Sequence, residues 1–458
     1  MKKKIFLMLL NFLMVIFEPM KKVLILAYDF PPYVSVGGLR PYSWYKYFHE
    51  FGLYPIVVTR QWGNKYGSHL DYIAPGETNE TIIEENQTGT IIRTPYKPNL
   101  SNRLLLKYGE KRFRLLRKVI TAWYEFMQFL FLVGPKAGLY RGTKAYLKQH
   151  KVDAIIATGE PFILFKYASK LSGKFNIPWL ADYRDPWTQS KSRSKNILLK
   201  VWNSCFEKKY INNSSRIITV SDFLKYKIQQ LIKGKEILIV PNGYNDHNKT
   251  ASTKQSSDIL KVALAGSIYP WHPVKSVLSA FHNYLSLKGN ANIKLTFIGT
   301  SKNEYISRVV DNEYIALMGK VSFLNKIPNQ ELLAYLKNQD LLLLFNDYSI
   351  TGTKIYDYLA AKTRILLCYT NDEDALKLKN KYFPINDEGY NKNRQAEIIE
   401  YTHSGYLVKN QKEFTELLES IMNEYIAEGK LHCESKNVEE FSRKRQVEKL
   451  TDIINKIQ

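Results

Sequence analysis

The sequence predicts an α/β protein built from two doubly wound, Rossmann-like domains that face each other across a cleft. Three observations carry this. Short apolar, β-branched runs alternate with longer amphipathic segments almost throughout, the pattern of parallel sheets with helical crossovers. A single polar stretch, 246–258, rich in Asn, Ser, Thr and Lys, divides the runs into two series. The length of 458 residues, with 45% apolar and 13% aromatic content, suits two or three packed domains and excludes disorder, collagen and a small disulfide scaffold.

Taken in order, the first series of expected strands is 23–27, 56–59, 154–157, 179–181, 217–220 and 237–240, and the second is 261–265, 295–298, 341–345 and 364–367. The expected organisation is an N-terminal domain over 20–245, a C-terminal domain over 259–430 and a closing helical segment over 431–458 that packs back on the N-terminal domain. Residues 1–19 stand apart. Lys2 to Lys4 followed by the apolar run 5–17 resembles a signal peptide, yet the run is short for a bilayer span of about 20 residues, and Glu18 and Pro19 follow instead of a small-residue cleavage site. Three readings stay open: a start codon assigned upstream of the true one, a weak membrane anchor, or a cleaved signal.

Charge is unevenly placed. Residues 1–240 hold 38 basic and 17 acidic side chains (net +21), whereas 241–458 hold 28 and 26 (net +2). A basic half attracts phosphate-rich polymers or anionic lipid. Residues 101–150 are the extreme, with 11 basic and 2 acidic side chains interleaved with Leu104 to Leu106, Phe113, Trp123, Phe126 and Phe131. On a long helix this is the composition of an interfacial amphipathic segment, the alternative being a core helix with a solvated basic face. The segment 189–235 repeats the imbalance, 11 against 2. No base-stacking aromatics alternate with Lys and Arg, and no helix-turn-helix, RRM or zinc pattern occurs, so no nucleic-acid partner is expected. Cys205, Cys368 and Cys433 lie far apart and the eight histidines are scattered, so neither a disulfide framework nor a protein-built metal site is expected, and a reducing cytoplasm fits.

Five short clusters could carry chemistry. Pro31-Pro32 with Gly37-Gly38 precede an amphipathic helix, where backbone N–H groups and the helix dipole favour an anion, although a turn that needs glycine is the alternative. Ala181-Asp182-Tyr183-Arg184-Asp185-Pro186-Trp187-Thr188 sets three charges beyond a buried strand, where they must be paired or line a cleft. Pro241-Asn242-Gly243 reads as a turn. Ala265-Gly266-Ser267 could admit a diphosphate at a strand-to-helix turn. In Thr351-Gly352-Thr353-Lys354-Ile355-Tyr356-Asp357 a helix begins near Lys354, so Thr353 lies at its anion-favouring end and Asp357 can accept from hydroxyls one turn on.

Taken together and in this order, the five clusters resemble the GT-B glycosyltransferases of family 4 over about residues 20–458, including a closing helix with Phe441-Ser442-Arg443. The resemblance implies retaining transfer of a sugar from a nucleotide-sugar donor, without metal or other cofactor, in the cleft between the domains. It implies that Arg184 and Asp185 face the reacting sugar as catalytic residues. Gly37, Gly38, Gly266, Ser267, Thr353, Lys354 and Asp357 are the expected donor-binding set. Two departures stand out: the position eight residues before Asp357 is Ser349 and not an acid, and the Arg and Lys that commonly neutralise the diphosphate are replaced by Ser267 and, near there, His272. Lys275 or Lys354 is the expected substitute.

Asp372-Glu373-Asp374 has the form of a manganese motif of the other large glycosyltransferase fold, but it sits late and at an expected helix start, where acids are favoured by the dipole. The expected function is thus glycosyl transfer to a lipid-linked or polysaccharide acceptor in surface-glycan synthesis, with the protein at the inner face of the plasma membrane through residues 101–150. The competing readings are a sugar-nucleotide epimerase of similar architecture and a non-catalytic relative that binds glycans or membrane.

Overall fold

The computed structural model describes residues 20–63, 69–189, 197–245, 257–289, 292–382 and 393–457. The N-terminal extension 1–19 and most of the polar stretch 246–258 lie outside the described residues. The first sheet has eight strands: β1 (Lys21–Leu26), β2 (Leu53–Arg60), β3 (Ile82–Glu85), β4 (Thr90–Thr94), β5 (Ala154–Gly159), β6 (Trp179–Tyr183), β7 (Arg216–Thr219) and β8 (Ile237–Ile239). The second has six: β9 (Leu260–Ala265), β10 (Ile293–Ile298), β11 (Val321–Leu324), β12 (Leu341–Phe345), β13 (Arg364–Cys368) and β14 (Gly405–Val408).

Strand order is β3-β4-β2-β1-β5-β6-β7-β8 in the first sheet and β11-β10-β9-β12-β13-β14 in the second. All pairings are parallel except that of β3 with β4. Helices cover both faces, so central strands are buried on both sides; Val23 to Leu26 and Leu341 to Phe345 are almost wholly inaccessible, which is why they read as continuous apolar runs. Every expected strand is present. The four that were not expected, β3, β4, β11 and β14, lie at or next to a sheet edge. There the apolar run is short or broken by polar residues, as in Ile-Ile-Glu-Glu of β3, so no continuous apolar signal marks it.

The order reverses direction at β1/β5 in the first sheet and at β9/β12 in the second. Ligands of such sheets sit beyond the carboxyl ends of the strands at these switch points. Helix Arg443–Asn455 returns to the first sheet: Val447, Leu450 and Ile454 join Val23, Ile25, Trp44, Phe48 and Leu180 in one buried cluster. Its Ser442 cap accepts from the Arg445 N–H at 3.2 Å.

The basic segment 101–150 is not one long helix. It forms Leu100–Tyr108, Arg114–Met127 and Ala137–Leu147, the first closed by Gly109 at φ +77°. Part of its apolar set is core: Phe129 is buried against Trp187 and Phe206. The remainder faces outward, with Leu115 79% and Val119 67% exposed. The buried ammonium of Lys166 donates to the carbonyls of Gln128 (2.5 Å) and Phe131 (2.7 Å) and so ties the end of this hairpin to the domain.

Candidate functional site

A cavity of about 620 Å³ opens between the two sheets, lined from the first by Asp29, Gly37, Arg40, Glu160, Arg184 and Asp185 and from the second by Ile350 to Thr353, with Arg443 of the closing segment also in its wall. Its floor is the loops that follow β1, β5 and β6. Arg184 binds these together: its Nε donates to the Gly159 carbonyl (2.8 Å), its Nη2 to that of Glu160 (2.9 Å) and its Nη1 to that of Gly37. A Cβ at Gly37 would stand 2.6 Å from both Arg184 Nη1 and Asp29 Oδ2, so any larger residue would displace these side-chain ends.

Asp29 shapes the same corner. Ser35 Oγ donates to its Oδ2 (2.7 Å) while accepting from the Gly38 N–H (3.2 Å), which caps helix Val36–Tyr47. The other carboxylate oxygen, Oδ1, is buried with no hydrogen-bond partner, and burial raises the carboxyl above its ordinary range. The Gly38 N–H is engaged in this cap, so the glycine pair presents Gly37 to the cavity and keeps Gly38 for the helix.

The Asp182 charge is met by Arg40, not by its near neighbour Arg184. The guanidinium grips Asp182 in bidentate fashion (2.9 to 3.2 Å) and reaches the Val240 carbonyl (2.8 Å), and Thr158 Oγ1 donates to Asp182 Oδ2 (2.8 Å). Arg40 was invisible as a partner because it is 142 residues away in sequence. Beyond the strand, Thr188 and Tyr183 donate to buried Glu207, whose carboxyl is raised by burial. The exposed carboxylate of Asp185 remains on the cavity wall.

In the second sheet the turn after β9 and the loop after β12 are tied in the same way. Lys354 Nζ donates to the Ser267 carbonyl (2.5 Å), and its pKa is lowered by burial, with the field of Asp347 opposing. Gly266 sits at φ +86°, and a Cβ there would stand 2.9 Å from Lys354 Cε, so only glycine lets the lysine cross. Gly266, Ser267 and Lys354 are thus brought together, whereas of the expected donor-binding set it is Gly37 and Thr353 that line the cavity. Asp357 lies one turn into the helix, its carboxyl raised by burial and Asn329 Nδ2 within 3.4 Å.

Lys275 makes an exposed ion pair with Glu313 at 2.6 Å and does not enter the site. His272 instead is buried beneath the turn: its Nδ1 accepts from the Tyr269 N–H (3.2 Å), so Nε2 carries the proton and donates to Asp347 Oδ1 (3.0 Å). Burial lowers the His272 pKa, with Asp347 opposing. Asp347, two residues before Ser349, supplies an acid to this loop; a fixed spacing of eight from Asp357 overlooks it.

Pro241-Asn242-Gly243 is more than a turn. The closing segment crosses it, with the Tyr244 N–H donating to the Phe441 carbonyl (3.1 Å) and the Arg443 N–H to that of Tyr244 (2.8 Å). Asp372-Glu373-Asp374 lies in a separate groove with Ser276, Tyr369 and Gln411. There Asp372 Oδ1 accepts from the Ala375 N–H (2.9 Å), a helix cap. Among the described residues no group of three His, Cys, Asp or Glu side chains clusters in a way that could hold a metal ion.

Comparison with solved structures places this architecture in one class. Sucrose-phosphate synthase from Thermosynechococcus elongatus aligns over 95% of this chain and 94% of its own at TM-score 0.53 and 15% identity. Trehalose-6-phosphate from E. coli bound with UDP-2-fluoro glucose aligns over 95% and 96% at TM-score 0.51 and 11% identity. Anabaena HepE in complex with UDP-glucose aligns over 95% and 99% at 0.52 and 11%. At these identities the likeness is one of fold, and the fold is GT-B. The family described as Glycosyltransferase Family 4 matches residues 46–248. The chain therefore has the GT-B fold, and its residues 46–248 are similar to Glycosyltransferase Family 4. Among curated proteins nothing matches the chain.

Proposed function

We propose that the protein is a retaining, metal-independent glycosyltransferase that moves a sugar from a nucleotide-sugar donor to a lipid-linked or polysaccharide acceptor in surface-glycan synthesis. The observation that carries this reading is the convergence of the Gly37 loop, Arg184 and Asp185, and the start of helix Lys354–Ala361 on one interdomain cavity. The donor class is supported by relatives of the same fold whose structures hold UDP-glucose and UDP-2-fluoro glucose. The similarity of residues 46–248 to family 4 supports the retaining course.

In this site Gly37 and Thr353 contact the donor, with Lys354 and the Gly266–Ser267 turn stabilising charge on the departing diphosphate. Aimed dipoles and fixed cations act strongly in a water-poor cleft. Arg184, held by three carbonyls, and Asp185 face the reacting sugar, and Asp357 accepts from donor hydroxyls.

The acceptor side is read from the surface. Exposed Leu115 and Val119 on helix Arg114–Met127 are accompanied by Ile197, Leu198 and Val201 on helix Ile197–Ile211 (75%, 76% and 58% exposed), and Trp202 Nε1 donates to the Phe126 carbonyl where the two helices meet. Apolar side chains among an excess of Lys and Arg fit an anionic bilayer surface, which would place the enzyme at the inner face of the plasma membrane. Among the described residues no helix is long and apolar enough to cross a membrane.

The test is calorimetry on the full chain with UDP-, GDP-, ADP- and dTDP-sugars in EDTA, followed by transfer with the sugar that binds and NMR of the anomeric configuration formed. One donor bound without metal, and product of retained configuration, is expected. Inversion or a metal requirement would overturn those parts of the reading, and no donor binding would overturn it whole.

A further inference from the structure

The cavity holds a cation that the expected site does not use. Arg443 is 95% buried, being 5% exposed, and its side chain reaches the interdomain cavity from the first residue of helix Arg443–Asn455. Its Nε is buried with no hydrogen-bond partner, and its guanidinium forms no hydrogen bond or ion pair within the described residues. The other cations named above are each bonded. Arg40 is neutralised by Asp182, Arg184 is held by three carbonyls, Lys354 is engaged by the Ser267 carbonyl, and Lys275 pairs with Glu313 at the surface. The field of Arg40 opposes the charge of Arg443 and that of Asp357 supports it without a bond.

A buried guanidinium without a bonded anion is costly, and replacing it by an apolar side chain would ordinarily stabilise the fold. Its forked donors match a phosphate group in bidentate geometry. We infer that Arg443 is a phosphate-holding residue of the interdomain cavity, supplied by the closing helix in place of the cations missing near Ser267 and His272. This deepens the donor-binding reading proposed above and rests on it for one of two phosphate sources, the diphosphate of the donor; the other is a phosphate on the acceptor. Because Arg443 follows the backbone pairing of Tyr244 with Ser442, its position depends on the closing segment being docked.

The test compares the full wild-type chain with Arg443→Gln and Arg443→Lys by calorimetry against UDP, GDP, ADP and dTDP, the matching nucleosides, inorganic pyrophosphate and glucose 6-phosphate. For the diphosphate that wild type binds, Arg443→Gln is expected to lose about ten- to hundredfold in affinity, with the nucleoside changed less than about twofold and Arg443→Lys between the two. Equal affinity of wild type and Arg443→Gln for every phosphate probe overturns the inference. If wild type binds no nucleotide, the donor reading fails by itself; Arg443-dependent binding of glucose 6-phosphate or pyrophosphate then assigns the residue to the acceptor, and no phosphate binding at all overturns it. Should Arg443→Gln not fold, Arg443→Lys decides: a severalfold loss for phosphate probes alone supports the inference, and unchanged affinity overturns it.

Discussion

Arg40 and Asp182 form a buried ion pair at 2.9 Å that joins helix Val36–Tyr47, whose first turn holds Gly37 and Gly38, to the end of β6, with side chains 4% and 0% exposed. The pair holds two walls of the interdomain cavity in register. Removing one partner leaves a buried charge without compensation, so Asp182→Asn is expected to destabilise the chain by about 3–5 kcal/mol. The double replacement Arg40→Met with Asp182→Leu should lose much less. Chemical denaturation of the three proteins checks this, and a double variant as unstable as the single one would contradict it.

Gly37 tests the latch made by Arg184. In Gly37→Ala the new methyl group would meet Arg184 Nη1 and Asp29 Oδ2 at 2.6 Å, and the guanidinium must shift. A displacement near 1 Å at a reacting centre costs about a hundredfold in rate. Turnover should therefore fall by about that factor while the melting temperature changes little, which steady-state kinetics and calorimetry resolve together.

Lys354 gives the pH dependence. Lys354→Ala should cut turnover roughly 100-fold or more and leave the fold intact; wild-type turnover in that variant would remove Lys354 from the site. In the native chain its pKa lies below the usual 10.5 because of burial. Between that lowered value and 10.5 the unfolded chain holds more protons, so this group makes folding more favourable as pH rises. Donor affinity moves the opposite way, because the bound diphosphate loses a cation as pH rises through the lowered value. Titrating affinity and stability from pH 7 to 10.5 in wild type and Lys354→Ala separates the two trends.

The basic hairpin predicts salt-sensitive lipid binding. Replacing Leu115, Val119 and Leu198 by Ser should weaken sedimentation with phosphatidylglycerol vesicles at least several-fold and leave donor affinity unchanged. Raising ionic strength should weaken it as well. Equal sedimentation of the triple variant would exclude this surface.

The closing helix is held by packing as well as by its cap. Leu450 is fully buried between the helix and the first sheet, so Leu450→Ala should cost about 2–5 kcal/mol. Its loss should also weaken binding of phosphate ligands through displacement of Arg443, a coupling that the melting curve and the diphosphate titration report independently.

Read alone, the sequence determined the class of fold and ten of the fourteen strands among the described residues, because a central parallel strand buried on both faces must be a continuous apolar run, and the linker between two such series must be polar. It also marked the loops that meet at the cavity, since glycines and charges beyond a buried strand are costly anywhere else. Tertiary structure decided the pairings. Arg40 with Asp182, Asp347 with His272, and Arg443 with no side-chain partner each depend on the approach of distant elements. The physical reason is that secondary structure and burial follow local periodicity, whereas the partner of a buried charge is set by which chain segments the two domains and the returning helix bring within about 3 Å.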